Sequence, residues 1–131
     1  MGRGEEEGEF SDLHNHEFIR LITFRRDSSA VHTVVRFVAM GDYVYVQTPG
    51  SAGKIKRIKA TGRVLLAPCE GDGAPLGRTR LGLGCTLDAA KAGQAEQALR
   101  AKYGQTHFDF LVQITTDDNG WETIEIRPWD E

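Results

Sequence analysis

Alternation of apolar and polar positions predicts a chain built mainly from β-strands. The clearest case is Thr79–Leu87, where Thr, Leu, Leu, Cys and Leu fall on one face and Arg, Gly, Gly and Thr on the other. Phe18–Phe24, Val31–Val38 and Tyr43–Thr48 are rich in aromatic and β-branched residues and are separated by turn residues, which predicts three consecutive antiparallel strands. Arg63–Cys69 is a short continuous apolar run, as expected for a strand buried on both faces.

A short basic helix is predicted within Gln47–Gly62, after the third strand. Ser51 is a suitable N-cap, Ile55 and Ile58 fall on one face at helical spacing, and Gly62 suits the left-handed conformation that ends a helix. The helix therefore has one narrow apolar seam, while its other faces are basic.

The last third of the chain is predicted to hold a longer helix and a final hairpin. Asp88–Tyr103 is a helix capped by Asp88, and a glycine follows it. Phe108–Thr115 and Trp121–Arg127 flank the turn sequence Asp117–Gly120, which favours two strands, although the first of them also fits a helix.

The chain length and composition fit one globular domain. It has 131 residues, of which 40% are hydrophobic and 27% charged. Residues 1–9 are Gly- and Glu-rich and are predicted to be a disordered N-terminal segment, residues 10–128 a single domain, and residues 129–131 a loose tail. Without a signal peptide or a run long enough to cross a bilayer, the expectation is a soluble cytoplasmic protein that does not enter a membrane.

Positive charge is concentrated in one interval, although the formal net charge is -3. No acidic residue lies between Asp42 and Glu70, whereas this interval holds the basic residues Lys54, Lys56, Arg57, Lys59 and Arg63. Cations in the opening turns of a helix oppose its dipole, so either an anion such as a phosphate docks against Gly50, Ser51 and Lys54, or this is a solvated basic face. The negative net charge and the absence of aromatic residues among the lysines argue against nucleic acid as a partner.

The sequence offers no metal site and no reactive cysteine pair. Cys69 and Cys85 are too few and too far apart for a metal knuckle, and their apolar surroundings predict reduced core thiols. The histidines are predicted to lie on the surface, since no third ligand is near the pair His14 and His16, and His32 and His107 are isolated. Trp121 is predicted to be a core residue.

Four runs carry a resemblance to a known family. They are L-I-T-F-R-R-D at Leu21–Asp27, T-V-V-R-F at Thr33–Phe37, Y-V-Y-V-Q-T-P-G-S-A-G-K-I-K-R-I at Tyr43–Ile58 and R-V-L-L-A-P-C at Arg63–Cys69. Together they resemble the pyridoxamine-phosphate-oxidase-like split-barrel flavoproteins, and most closely the actinobacterial-type branch that uses the deazaflavin coenzyme F-420. The resemblance extends from about Phe10 to Gly104. It implies a mainly β, α+β fold, an antiparallel split β-barrel of the FMN-binding type with six or seven strands.

The resemblance also implies a function. The expected protein is a homodimer that holds F-420, or alternatively FMN, in a groove at the subunit interface and transfers a hydride to a small organic substrate, which makes it an oxidoreductase. No catalytic acid or base is required. One alternative is a non-catalytic binding or carrier protein for the same cofactors, and another is a structural barrel whose groove is vestigial.

The resemblance implies the site residues as well. The cofactor phosphate is expected at the turn and helix after the third strand, and the ring beside the second strand. The corresponding residues are Thr48, Gly50, Ser51, Lys54 and Arg57 for the phosphate, and Thr33, Val35 and Arg36 for the ring. The chain departs from the family at the ring, because T-V-V-R-F stands where the branch has T-P-V-W-F. Arg36 then meets a carboxylate of the cofactor tail or an anionic substrate, or is an exposed strand residue.

Overall fold

The computed structural model describes residues 9–50, 52–114 and 120–129, except the side chains of 110 and 112–114. The described residues form seven strands, which are β1 (Phe18–Phe24), β2 (Ala30–Arg36), β3 (Val38–Met40), β4 (Tyr43–Pro49), β5 (Arg63–Cys69), β6 (Arg80–Thr86) and β7 (Trp121–Pro128). The helices are α1 (Gly53–Thr61), α2 (Ala89–Tyr103) and α3 (Gln105–Ile114), and a 3₁₀ turn at Ser11–Asn15 precedes β1.

The strands form a single antiparallel sheet in the order β2-β1-β5-β6-β7-β4-β3. Its two end strands, β2 and β3, are consecutive in the chain and are separated only by Phe37. The chain therefore connects the two ends of the sheet directly, so the sheet must curl until those ends are close. The result is the predicted split β-barrel with an α+β composition.

The barrel interior is filled by inward-facing strand residues, by the 3₁₀ turn and by α1. Phe10 and Leu13, at the 3₁₀ turn, are fully buried in this core. Ile55 and Ile58 of α1 are 4% and 2% exposed, which confirms the predicted apolar seam. Because this seam fixes α1 against the barrel, the charged residues of the helix have defined positions.

The strand predicted at Val31–Val38 is wrong as a single element. It divides at Phe37 into β2, which pairs with β1, and β3, which pairs with β4. The predicted set of three consecutive strands is therefore incorrect, and the basic helix follows the fourth strand rather than the third. Phe37–Met40 is a continuous apolar run with no Gly or Pro, so the pattern gives no sign of the change in direction.

The strand prediction for Phe108–Thr115 is also wrong, since residues 105–114 form α3 and Thr115 lies outside the described residues. Phe108 and Leu111 are buried at helical spacing, 6% and 1% exposed. The predicted turn residues 117–119 are likewise outside the described part, and β7 is confirmed. The predicted helix at Asp88–Tyr103 is confirmed as α2, with Asp88 accepting a hydrogen bond from the Lys91 amide.

Near the two ends of the chain, the structure describes Glu9, Trp121 and Trp129. Of the predicted disordered segment only Glu9 is described, and it forms an ion pair with Arg78 at 2.9 Å. Trp121 is 36% exposed and is therefore not the predicted core residue, and Trp129 is 40% exposed. Among the described residues, no helix is both long and apolar enough to span a membrane.

The corner at Phe37 is held by the last turn of α2. Phe37 is fully buried, and its amide donates to Tyr103 Oη at 3.0 Å. The same hydroxyl lies 2.7 Å from the Phe37 carbonyl oxygen and 2.6 Å from that of Glu17. Lys102 Nζ donates to the carbonyls of Phe37 at 2.9 Å and His16 at 2.7 Å. Backbone groups that leave the sheet at the corner thus find partners on the helix.

Replacing Tyr103 with Phe removes this hydroxyl and leaves the buried Phe37 amide without its acceptor. We expect Tyr103→Phe to lower the free energy of unfolding by about 1–3 kcal/mol. Tyr43→Phe is the matched control, because Tyr43 is 37% exposed and should change stability by less than about 0.5 kcal/mol. Urea denaturation of both variants measures the difference. Equal stabilities would show that the corner does not depend on this hydroxyl.

Candidate functional site

A cavity of about 490 Å³ lies between β2, β4, the start of α1 and α3. Its volume is in the range of small-molecule sites. The apolar part of its wall consists of Phe18, Val34, Val35, Pro49, Ala52 and Leu111. Its polar groups are Thr33, Arg36, Gln47, Thr48, Lys54 and His107. The described wall contains no carboxylate, so its formal charge is positive.

Five of the eight predicted site residues lie on this wall. They are Thr33, Val35, Arg36, Thr48 and Lys54. The first three belong to β2, and the others to the end of β4 and the first turn of α1, so the curl of the sheet brings together segments that are distant in sequence. Their role as cofactor ligands stays a prediction.

Lys54 is the cation at the α1 end of the cavity. It is half-buried, and its Nζ lies 3.4 Å from Thr48 Oγ1. Among the described residues no carboxylate forms an ion pair with it. Burial lowers the pKa of Lys54, and the nearby charge of Arg57 lowers it further. The first amides of α1 have no partner within the helix, so an anion here would meet both donors and positive charge.

Arg57 is beside this cavity rather than on its wall. Its Nε donates to Thr23 Oγ1 at 2.6 Å, and its Nη1 lies 2.7 Å from where a Cβ on Gly53 would be. The guanidinium thus crosses the first turn of α1, close to Lys54. Arg57 lines a separate basic cavity of about 320 Å³, whose other cations are Arg25, Arg26, Lys56 and Arg63.

The structure assigns the Gly50 amide to another partner and corrects the predicted N-cap, Ser51, while the role of Ser51 as a cofactor ligand stays a prediction. The Gly50 amide donates to the Gly120 carbonyl at 2.9 Å, so it is not available to a phosphate, and Gly50 is not on the cavity wall. The N-cap of α1 is Ala52, which makes no side-chain capping bond, rather than Ser51. Ser51 itself lies outside the described residues. Helix entry is therefore one residue later than the capping pattern predicted.

Two side chains of the cavity wall, Arg36 and His107, pack against the ring of Tyr103. The Arg36 guanidinium lies 5.2 Å from the centre of the Tyr103 ring, and the His107 ring is 5.6 Å from the same ring at 27°. His107 Nε2 lies 3.3 Å from Gln47 Oε1. Because Oε1 can only accept, Nε2 carries the hydrogen and donates. Arg36 is half-buried here, so it is not a fully exposed strand residue.

The position of His107 contradicts the surface prediction, since it is 2% exposed. Burial lowers its pKa, and the positive charge of Arg36 lowers it further, so the imidazole is neutral at neutral pH. The signal in the sequence is the four-residue spacing of His107 and Leu111, which fits one face of a helix. A strand assignment for residues 108–115 hides this spacing.

The cysteines and histidines form no other chemical centre. Cys69 is buried, Cys85 is half-buried, and neither is in a disulfide. Burial is the main reason that the pKa of each thiol is raised, which keeps both protonated and weakly nucleophilic. Within the described ranges no three His, Cys, Asp or Glu side chains cluster as metal ligands.

Comparison with known proteins identifies the fold. No family model and no curated protein sequence matches the chain. Among solved structures, the heme storage protein HutZ from Vibrio cholerae has a TM-score of 0.71 at 13% identity, over 94% of this chain and 89% of that one. A protein from Listeria innocua described as a pyridoxamine 5'-phosphate oxidase has a TM-score of 0.65 at 14% identity, over 90% of this chain and 88% of that one. An F-420 reductase has a TM-score of 0.60 at 20% identity, over 95% of each chain. The chain thus has the pyridoxamine-oxidase-like split-barrel fold.

The lowered pKa of His107 predicts a loss of stability in weak acid. As the pH falls through about 6.5, the unfolded chain takes up a proton on this histidine, whereas the folded chain, with its lowered pKa, takes it up only at lower pH. The free energy of unfolding should therefore fall between about pH 7 and about pH 5.5. The loss should be smaller in His107→Gln, whereas His32→Gln, at an exposed position, should behave like the wild type. Urea denaturation at both pH values measures the free energy of unfolding. An equal change of this free energy with pH in all three proteins would contradict the prediction.

Proposed function

We propose that this chain is an oxidoreductase that binds a flavin-type cofactor, F-420 in the first place or FMN, and reduces a small organic molecule. The observation that supports this most is the convergence of two predicted half-sites on one cavity. Lys54 and Thr48 lie at one end, and Thr33, Val35 and Arg36 lie along β2. Neighbours with this fold include a protein named as an F-420 reductase.

The residues present fit such a cofactor. Lys54 is a half-buried cation without a carboxylate partner among the described residues, and it lies beside the Thr48 hydroxyl and the first turn of α1. These groups would hold a phosphate by charge-assisted hydrogen bonds. Apolar side chains along the wall, such as Val35 and Leu111, would contact the faces of a ring.

The bound cofactor would supply the hydride, and the chain would supply position and a dry surrounding. The titratable side chains on the described wall are Arg36, Lys54 and His107. Arg36 and His107 are packed on Tyr103, which fixes their orientation. This arrangement binds and orients a ligand, while no carboxylate of the described wall is available as a general base.

A homodimer is part of the proposal. β2 forms one wall of the cavity and pairs with β1 alone among the described strands. Val34, on this strand, is 38% exposed although it lines the cavity. A second copy covering this rim would complete the groove and exclude water. Light scattering coupled to size exclusion tests the dimer.

A carrier or storage protein is the second candidate function. The fold is shared with a protein named for heme storage, and Val34 and Arg36 stand where the resembling branch has proline and tryptophan. Purified protein with reduced F-420 or FMN is assayed against quinones, enones and nitro compounds. Turnover supports the oxidoreductase, whereas tight binding without turnover supports the carrier.

Binding is tested by fluorescence titration with F-420, FMN and haemin separately. A dissociation constant below about 100 μM for F-420 or FMN is expected, and weaker binding of both contradicts the proposal. Lys54→Ala should weaken binding by about 1.5–3 kcal/mol, since it removes a charge-assisted contact to the phosphate. Lys59→Ala is the control of equal charge change, because Lys59 is exposed on the same helix and pairs with Glu122 at 3.7 Å. It should bind like the wild type.

A further inference from the structure

His107 has a buried nitrogen that the fold leaves without a hydrogen-bond partner. Its Nε2 donates to Gln47 Oε1, but its Nδ1 is buried and has no partner among the described residues. Since the ring is neutral and Nε2 carries the hydrogen, Nδ1 is a hydrogen-bond acceptor. The residue that carries this acceptor is part of the cavity wall.

An unpaired acceptor in such a place is uncommon in native proteins. Most buried side-chain polar atoms have a protein or water partner, because burial removes the water that would otherwise bind them. The surroundings hold the ring firmly, since it stacks on Tyr103 and meets the Phe108 ring edge-on at a centroid distance of 5.1 Å. A ligand that enters the cavity with an N–H or O–H group would supply the absent donor.

We propose that His107 recognises the imide edge of the cofactor ring, with Nδ1 accepting a hydrogen bond from the ring N–H. This inference rests on the proposed function, because it takes the ligand to be a flavin or deazaflavin. It assigns His107 as a specificity residue for the ring, separate from the phosphate contact at Lys54.

The hydrogen-bonding groups of His107 and Arg36 match those of an imide. An imide presents an N–H donor between two carbonyl acceptors, and both flavin and deazaflavin rings carry this group. His107 provides an acceptor, while Arg36, which packs on the same Tyr103 ring, carries only donor groups. An acceptor beside a donor group is the complement of an N–H beside a carbonyl. A ligand that placed a carboxylate beside His107 would instead be repelled by the lone pair of Nδ1, because both groups are acceptors.

A purely structural role for His107 would give a different outcome. In that case the ring only connects α3 to β4 through Gln47 and fills space beside Tyr103. His107→Phe would then change stability and leave ligand affinity intact. The two roles are therefore separated by measuring affinity and stability on the same variants.

The experiment compares two ligands on three proteins. FMN or F-420 is titrated into the wild type, His107→Phe and Lys54→Ala, and inorganic phosphate is used as a competitor that has no ring. His107→Phe should weaken cofactor binding about 3- to 10-fold, as for loss of one neutral hydrogen bond, and should leave the inhibition constant of phosphate unchanged. Lys54→Ala should weaken the binding of both ligands.

A second variant and a spectroscopic signal guard against a folding defect. His107→Asn can keep a carbonyl acceptor near the position of Nδ1 and should recover most of the lost affinity. In the wild type, the ¹⁵N resonance of Nδ1 should shift when FMN is added, and should not shift with phosphate alone.

The outcomes separate this inference from the proposed function. If the wild type binds neither cofactor, both fail. If it binds and only Lys54→Ala weakens binding, the proposed function stands and the role of His107 is overturned. Two results overturn the role of His107 in ring recognition. One is equal cofactor affinity of His107→Phe and the wild type, and the other is an Nδ1 resonance that does not respond to FMN.

Discussion

The hydrogen bonds around Phe37 are the interaction on which this fold depends. At this residue the chain leaves one end of the sheet and enters the other, so its backbone groups cannot be satisfied by neighbouring strands. Lys102 and Tyr103 provide the partners from the end of α2. An unpaired buried amide or carbonyl costs as much as a lost hydrogen bond, so the corner and the helix end stabilise each other. Closure of the barrel is thus tied to a helix that lies more than sixty residues away.

The same helix end builds one side of the cavity. Tyr103, which accepts from the Phe37 amide, also packs against Arg36 and His107. Gly104 follows with a φ of 72°, a left-handed value that suits glycine, and α3 starts directly after it. This change of direction places His107 of α3 against β4, where Gln47 accepts its hydrogen bond. The closure of the fold and the shape of the candidate site therefore have one origin, and a change at Tyr103 should affect both.

The sequence predicted those elements whose signals are local. Strands β1, β5, β6 and β7 and helices α1 and α2 follow from alternation, apolar runs and caps. The resemblance assigned β2 to the ring, and Thr48 and Lys54 to the phosphate, of one cofactor site. The break at Phe37 was not predictable, because no turn residue marks it and the corner is held by a tertiary contact with Tyr103. α3 was assigned as a strand, since alternating apolar residues in a short segment fit either period. His107 was missed for the same reason, because its burial depends on α3 being helical.

The first turn of α1 explains why a ligand is expected in this cavity. A cation near a helix N-terminus is unfavourable by about 0.3–1 kcal/mol, and burial of Lys54 adds to this cost. The other lysines of α1 avoid both costs, because Lys56 and Lys59 are exposed and Lys59 pairs with Glu122. Lys54 has no such compensation within the described protein, and Arg57 beside it increases the repulsion. An anion bound at this turn would attract Lys54, Arg57 and the helix N-terminus, and these attractions would offset the three costs. The unfavourable charge arrangement of the free chain is therefore the physical reason to expect an anionic ligand here.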